Sequence, residues 1–290
     1  MLKIYLSIVL AGVAAFCVGL GAQPPAGKGG GKAGQTVEKI RQLKPNLYMI
    51  TGGGANTLVR VTPEGVIVVD TKNPGDANYD RVMEEIKSVS SAPVKFVINT
   101  QHHPDHVGTN QKFIDAGAQV VALKALADFM ASDPRTKDIP GRPQVTFAKD
   151  NTLKLGGATV EMHFYAAGHT GDDTMVYFPA EKVVMVSDQM TDAAPIVDFA
   201  NGGSAVNWNK SLDGVLALDF EMAIPGRGEP KTKAEVKAFR DKWASLVTRA
   251  QDAIKAGATK ETLASQVNTQ DLGWNMQAAF WGSLYDELKK

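Results

Sequence analysis

The chain runs to 290 residues with a single cysteine, Cys17, which lies in an apolar stretch near the N-terminus. That scarcity excludes a disulfide framework and a thiolate metal cluster. Net charge is missing too, since 31 basic residues balance 31 acidic ones. Without a basic stripe there is no argument for nucleic acid, and without an acidic run none for a disordered tail. Long hydrophobic runs are confined to Ile4–Leu20, preceded by Lys3 and followed by the small Gly21 and Ala22. Charged, apolar, then small is the order of a secretory leader, and the run is marginal for a span of ~20 residues. Cleavage after Ala22 is expected, and the bulky Phe16 beside Cys17 argues against a lipoprotein. The mature chain is then free of cysteine, has no membrane span, and is periplasmic or secreted.

What remains has an ordinary globular composition, 44% hydrophobic and 21% charged, enough to bury a large core. Residues 23–36 are rich in Pro and Gly and read as a flexible linker. Short β-type runs follow at 46–51, 57–61 and 66–69, broken by glycines and by Pro63-Glu64-Gly65. Val82, Met83, Ile86 and Val89 repeat at helical spacing, and 94–98 is a buried strand. A helix is expected from Gly108, a strand at 119–122 and a helix near 123–130. Strands then recur at 152–155, 159–165, 174–178 and 182–186, followed by a helix at 210–218 and a strand at 221–224. Thr232 and Glu235 form a capping box. Val236, Phe239, Trp243, Leu246, Val247, Ala250 and Ile254 line one face of the helix it opens, with further helices expected at 259–267 and 274–288. Two β-then-α halves bury sheet against sheet with helices outside, a four-layer α/β sandwich. The stretch from Met190 to Asn207 shows no regular period; Ile196, Val197, Phe199 and Trp208 either line a substrate wall or pack.

Histidine is also scarce, with five in the chain, yet His102, His103 and His106 fall within five residues together with Asp105. A strand ending at Asn99 delivers this cluster into a polar loop. A solvated turn or helix cap explains Asp105 but not the imidazoles, whereas imidazole and carboxylate are the usual zinc ligands. His163, alone in a strand, reads as a packed or surface histidine. Glycines 52–54 lack the strand-then-helix setting of a nucleotide loop and read as a hairpin at the site's rim.

Thr100-Gln101-His102-His103-Pro104-Asp105-His106 resembles the Thr-His-x-His-x-Asp-His motif of the metallo-β-lactamase superfamily. Thr100, His103, Asp105 and His106 match, and Gln101 replaces the first histidine. The resemblance continues through Gly168-His169-Thr170-Gly171, the strand end Val186-Ser187-Asp188, and Pro225-Gly226-Arg227-Gly228, where the family has Pro-Gly-His-Gly. It implies a four-layer αβ/βα sandwich over 37–230, with 231–290 a helical extension packed on it. It also implies one metal site of Gln101, His103, His169 and Asp188, and a second of Asp105, His106 and the shared Asp188. A glutamine oxygen is a weaker ligand than imidazole. Arg227 cannot ligate at all, because its guanidinium stays protonated, and its charge opposes a second cation. One tightly bound zinc is therefore expected, with the second site weak or empty. Arg227 is left to pair with Asp105 or Asp188 or to clamp a substrate anion. Asp70 and Thr170 are candidates for orienting ligands, and Asp105 for the catalytic residue that orients water or takes its proton. In the motif's register His102 is unligated, although it could stand in for the missing histidine.

The implied activity is zinc-dependent hydrolysis of a small molecule at an ester, lactone or lactam-type bond, with β-lactamase activity one form of it. Two alternatives stand beside it: a binding or scaffolding homologue with a degenerate metal site, and a redox enzyme using non-haem iron. From the leader pattern, N-terminal sequencing of the protein from its native host is expected to begin near Gln23. An intact Met1 in the cytosolic fraction would contradict that reading.

Overall fold

The computed structural model describes residues 36–290. The expected leader, 1–22, and all of the linker except Thr36 lie outside the described residues. The first sheet starts with an antiparallel meander: β1 Arg41–Lys44, β2 Leu47–Ile50, β3 Thr57–Thr62 and β4 Gly65–Val69. It is continued in parallel by β5 Val94–Ile98, β6 Gln119–Leu123 and β7 Val145–Phe147, in the spatial order β1-β2-β3-β4-β5-β6-β7. Strand β4, GVIVV, is buried at every position, as a central strand covered on both faces must be. The crossovers carry α1 Asp76–Lys87, the short α2 Pro104–Val107, α3 Asn110–Asp115 and α4 Lys124–Ser132.

The second sheet runs β12-β11-β10-β9-β8, with β8 Asp150–Leu155, β9 Ala158–His163, β10 Met175–Phe178 and β11 Val183–Ser187 joined antiparallel in sequence. Strand β12, Met222–Pro225, lies parallel to β11, and α5 Trp208–Ala217 crosses between them. The C-terminal part adds α6 Lys233–Lys255, α7 Leu263–Gln266 and α8 Ala278–Leu288. The expected capping box is present in full: the Thr232 hydroxyl accepts from the Glu235 amide, and the Glu235 carboxylate accepts from the Thr232 amide.

Three apolar clusters define four layers. Leu58, Ile67, Val69 and Ile98 of the first sheet meet Val160, Val176, Phe178 and Met185 of the second. Val59, Val68 and Val97 pack outward on Val82 and Ile86 of α1 and Phe113 of α3. Val184 and Val186 pack outward on Trp208, Trp243, Leu246 and Phe280, so the C-terminal helices close the outer face of the second sheet. The structure is thus the expected αβ/βα sandwich with extra C-terminal helices. Among the described residues no helix is long and apolar enough to cross a membrane.

Local differences from the sequence-based expectation have physical causes. The helix expected from Gly108 is present as α3 from Asn110, and a further short helix already begins at Pro104, inside the histidine cluster, because proline fits a first helical turn where its missing N–H goes unused. Strands β1 and β7 are absent from that expectation because both are short edges with half-exposed patterns. Residues 190–207 hold only a single 3-10 turn, Phe199–Asn201. In that stretch Ile196 is exposed on a cavity wall, while Trp208, just beyond it at the start of α5, is fully buried and donates its indole N–H to the Gln189 carbonyl at 3.0 Å.

Trp243 sits 4.8 Å from Trp208, centroid to centroid, and donates to the Ala205 carbonyl at 2.9 Å. Trp243→Ala would open a cavity between α6 and the sheet and orphan that carbonyl. A loss of about 3–5 kcal/mol is expected from urea unfolding midpoints. A loss near zero would mean that α6 is not part of the cooperative core.

Candidate metal centre

All the residues singled out from the sequence, apart from His163, come to one edge of the sandwich. Asp70 ends β4, Thr100–His106 follow β5, and His169 sits in the connection from β9 to β10. Asp188 follows β11, and Arg227 follows β12. Strand ends are the natural place for such groups, because the sheets fix the backbone and the loops free the side chains.

The outer nitrogens of two imidazoles decide what their inner nitrogens can do. His169 Nδ1 lies 2.7 Å from the Ile196 carbonyl, which can only accept, so the proton is on Nδ1. His103 Nε2 lies 2.9 Å from an Asp198 carboxylate oxygen, so its proton is on Nε2. Burial, outweighing the Asp198 hydrogen bond, lowers the His103 pKa and favours the neutral ring. The inner atoms, His103 Nδ1 and His169 Nε2, face each other at 3.2 Å, where two neutral rings would turn lone pairs toward one point. Asp188 Oδ2 stands 3.6 Å from the same His169 nitrogen. Bonds of about 2.0–2.1 Å to a tetrahedral ion place donors roughly 3.4 Å apart, so this triangle fits zinc.

The second half of the site is built differently. Arg227 Nη1 donates to both Asp188 oxygens at 3.0 and 2.9 Å, and Nη2 donates to Asp105 Oδ2. A guanidinium therefore bridges the two carboxylates that a second metal needs. The Asp188 charge, foremost, raises the Arg227 pKa, so no lone pair is on offer. Burial pushes the Asp188 carboxyl up, but His106, Arg227 and His169 outweigh it and hold it well below the usual carboxylate range. His106 Nε2 is buried without a hydrogen-bond partner among the described residues, 3.4 Å from Asp188 Oδ2 and 3.6 Å from Asp105 Oδ2. Those donors are right for a metal, but the guanidinium already holds both carboxylates, so the residues do not fit a second ion. Gly226 makes the bridge feasible: a Cβ there would meet Asp188 Oδ1 at 1.8 Å.

The remaining expectations sort by contact. Gln101, expected as a weak ligand, is a brace instead. Its oxygen accepts from the His103 amide at 3.1 Å and its nitrogen donates to Asp188 Oδ2 at 3.1 Å. Asp105, expected to be a free carboxylate if the second site is empty, is instead tied to Arg227. Asp70 accepts from the Thr100 amide at 2.8 Å and hydroxyl at 2.7 Å, with His106 Nδ1 at 2.8 Å. Thr170 donates to Asp173 Oδ1 at 2.7 Å and so braces the His169 loop. His102 stands outside the His103–His169–Asp188 group: it is fully buried with Nδ1 3.0 Å from Asp172 and Nε2 3.1 Å from Asp133, and its neighbours in a second set of donors are His103, Asp133 and Asp198. His163 pairs with Asp150 at 2.9 Å, on the strand. Asp198, Asp133 and Asp172 have no counterpart in the sequence-based expectation. Asp198 and Asp133 are far in sequence from the histidines they meet, and Asp172, although three residues from His169, contacts His102 seventy positions away.

A cavity of about 620 Å³ opens over the centre, walled by His103, His169, Arg135, Arg227, Glu38 and Ile196. Residues 50–227 match the family described as the metallo-beta-lactamase superfamily. The chain belongs to that superfamily. Among its relatives is the 2,4-dinitroanisole O-demethylase subunit alpha of Nocardioides sp. (strain JS1661), 26% identical over 231 residues, 79% of this chain and 68% of the relative. The metallo-beta-lactamase type 2 of Elizabethkingia meningoseptica is 30% identical over 155 residues, 51% of this chain and 60% of that enzyme. The solved metallo-beta-lactamase from Pontibacter korlensis superposes with a TM-score of 0.64 at 22% identity, covering 72% of this chain and 99% of its own. The sec-alkylsulfatase Pisa1 from Pseudomonas sp. gives 0.69 at 16% identity, covering 87% of this chain and 50% of its own. Those structural likenesses show the fold. The sequence relatives, a lactamase and a demethylase, place this superfamily member among enzymes.

His102 supplies a pH test. Burial opposes its charge, but the hydrogen bonds and charges of Asp172 and Asp133 outweigh burial, and its pKa is raised. A raised folded pKa stabilises fully below the unfolded value of ~6.5 and loses that contribution as pH rises through the folded value. In metal-stripped protein, the stability gap between wild type and His102→Gln is therefore expected to narrow from about pH 6 upward. A gap that widens with pH would contradict an imidazolium at this position.

Proposed function

We propose that this superfamily member is an exported hydrolase that works with one tightly held zinc ion and uses Arg227 in place of a second. The observation that carries the reading is the pair of imidazole nitrogens facing each other beside Asp188, an arrangement that a shared cation satisfies. His103 Nδ1, His169 Nε2 and Asp188 hold the ion, close to the three-ligand set of catalytic zinc. When bound, zinc supplies Lewis acidity that polarises the scissile bond and brings the pKa of a water toward ~7.

The protein's own groups do the rest. Asp198 and the Ile196 carbonyl fix the two ring tautomers. Gln101 holds Asp188 and the His103 backbone in register. Asp105 Oδ1 has no hydrogen-bond partner among the described residues and is the atom to orient the attacking water and take its proton. Arg227 keeps N–H groups beyond those used on the carboxylates, and its side chain is 38% exposed to the cavity. Those donors stabilise the oxygen that gains charge as the bond breaks. The substrate is a small molecule with an ester, lactone or lactam-type bond, sized to the cavity. The relatives' names span a lactamase and a dinitroanisole O-demethylase, so the fold does not choose among them.

Elemental analysis of the purified chain is expected to give close to one zinc. His169→Ala should lower zinc affinity by orders of magnitude, because it leaves one nitrogen donor. Arg227→His should raise the content toward two. Retention of zinc in His169→Ala would place the ion elsewhere. No metal in wild type would favour a binding protein, and iron a redox role. An unchanged count in Arg227→His would remove Arg227 from the second site.

A further inference from the structure

Lys72 takes no part in the chemistry above, yet it is placed at considerable cost. It is fully buried, and its backbone adopts a φ of +73°, a left-handed conformation that strains any residue with a Cβ. Burial lowers its pKa to about 7 against the opposing pull of Asp70, Asp105 and Glu38. A packing role would be filled more cheaply by an apolar side chain.

Its ammonium group lies inside the hairpin that joins β2 to β3. It donates to the Ile50 carbonyl at 2.7 Å and to the Ala55 carbonyl at 2.6 Å, pinning both ends of the turn that contains Gly52–Gly54. Two hydrogen bonds suit a neutral amine as well as an ammonium, so the strut holds on either side of its pKa. The outer edge of the same hairpin grips the metal centre. The Ala55 amide donates to the Asp105 carbonyl at 3.3 Å. The Asn56 amide donates to the Gly226 carbonyl at 2.7 Å, and the Asn56 side chain donates to the Pro225 and Gly228 carbonyls at 3.0 Å each. Both partners of the Arg227–Asp105 pair are thus held by backbone that the hairpin positions. Gly54 packs so close that a Cβ there would meet the Asp105 Cβ at 3.0 Å.

We infer that Lys72 is a positioning residue: it fixes the hairpin between Ile50 and Asn56, and through that hairpin sets the Arg227 guanidinium between Asp105 and Asp188. The inference rests on the Arg227 role proposed above, but not on the metal.

The test is Lys72→Met, which keeps the aliphatic stem and removes the donors. Two readouts on the folded, metal-free protein isolate positioning from general destabilisation. Hydrogen exchange at the Ala55 and Asn56 amides, which donate to the Asp105 and Gly226 carbonyls, should accelerate by about tenfold or more, the scale of losing hydrogen bonds to a charged donor, while β9 and β10 keep their protection. In nitrogen-15 spectra, the Arg227 Nη signals should show hindered rotation in wild type and lose it in the variant. Asn56→Ala, which cuts the hairpin's side-chain hold on 225–228, should reproduce the Arg227 change with Lys72 intact. If Lys72→Met does not fold, Lys72→Gln carries the same measurements. Unchanged exchange and an unchanged Arg227 signal in the variant would overturn the inference, as would acceleration spread evenly over both sheets. A wild type without zinc that still shows the local response would sink the hydrolase reading and leave the positioning role standing.

Discussion

A carboxylate withdrawn from water needs positive charge or hydrogen-bond donors close by, and the neighbourhood of Asp188 is arranged around that need. Gln101, His106, His169 and Arg227 all approach its two oxygens, from three separate strand-end loops. A metal-rich version of such a site would meet the demand with ions. Here a covalently tethered cation meets part of it, leaving one corner, the imidazole pair, for an exchangeable ion. The tethered charge cannot be lost by chelation or dilution, which separates the integrity of half the centre from metal supply.

The fold lies on the surface of the sequence because its signals are local. Strand β4 is a run of branched apolar residues, α6 declares its start through Thr232 and Glu235, and both appear in the structure as expected. The edge strands β1 and β7 were hidden because a short strand with one wet face has no clear alternation. The centre was legible where it depends on residue type and order: three imidazoles within five residues, then His169, Asp188 and Arg227 at successive strand ends.

What stayed hidden is set by rotamers and long-range pairing. No spacing rule says that the Gln101 amide turns its nitrogen to Asp188, or that the carboxylate of Asp198 reaches back ninety-five positions to His103. His102 is instructive in the same way. Beside His103 in the sequence, it points into a pocket of Asp133 and Asp172, because neighbours in an extended segment face opposite sides. Three clustered histidines therefore serve different ends, and only the folded backbone distinguishes them.

The crowding at Gly226 has an evolutionary side. With Asp188 Oδ1 lying where a side chain would begin, any residue other than glycine at 226 would have to displace the Asp188 carboxylate and so break its bond to Arg227. Position 227 beside it points its side chain into a cavity and is open. Position 227 differs from 226 in tolerating side chains, and some arginine codons lie one base from those of histidine. The sandwich can thus pass between a fixed organic charge and a metal-binding one in one mutational step, with no intermediate sequence that has to fold differently.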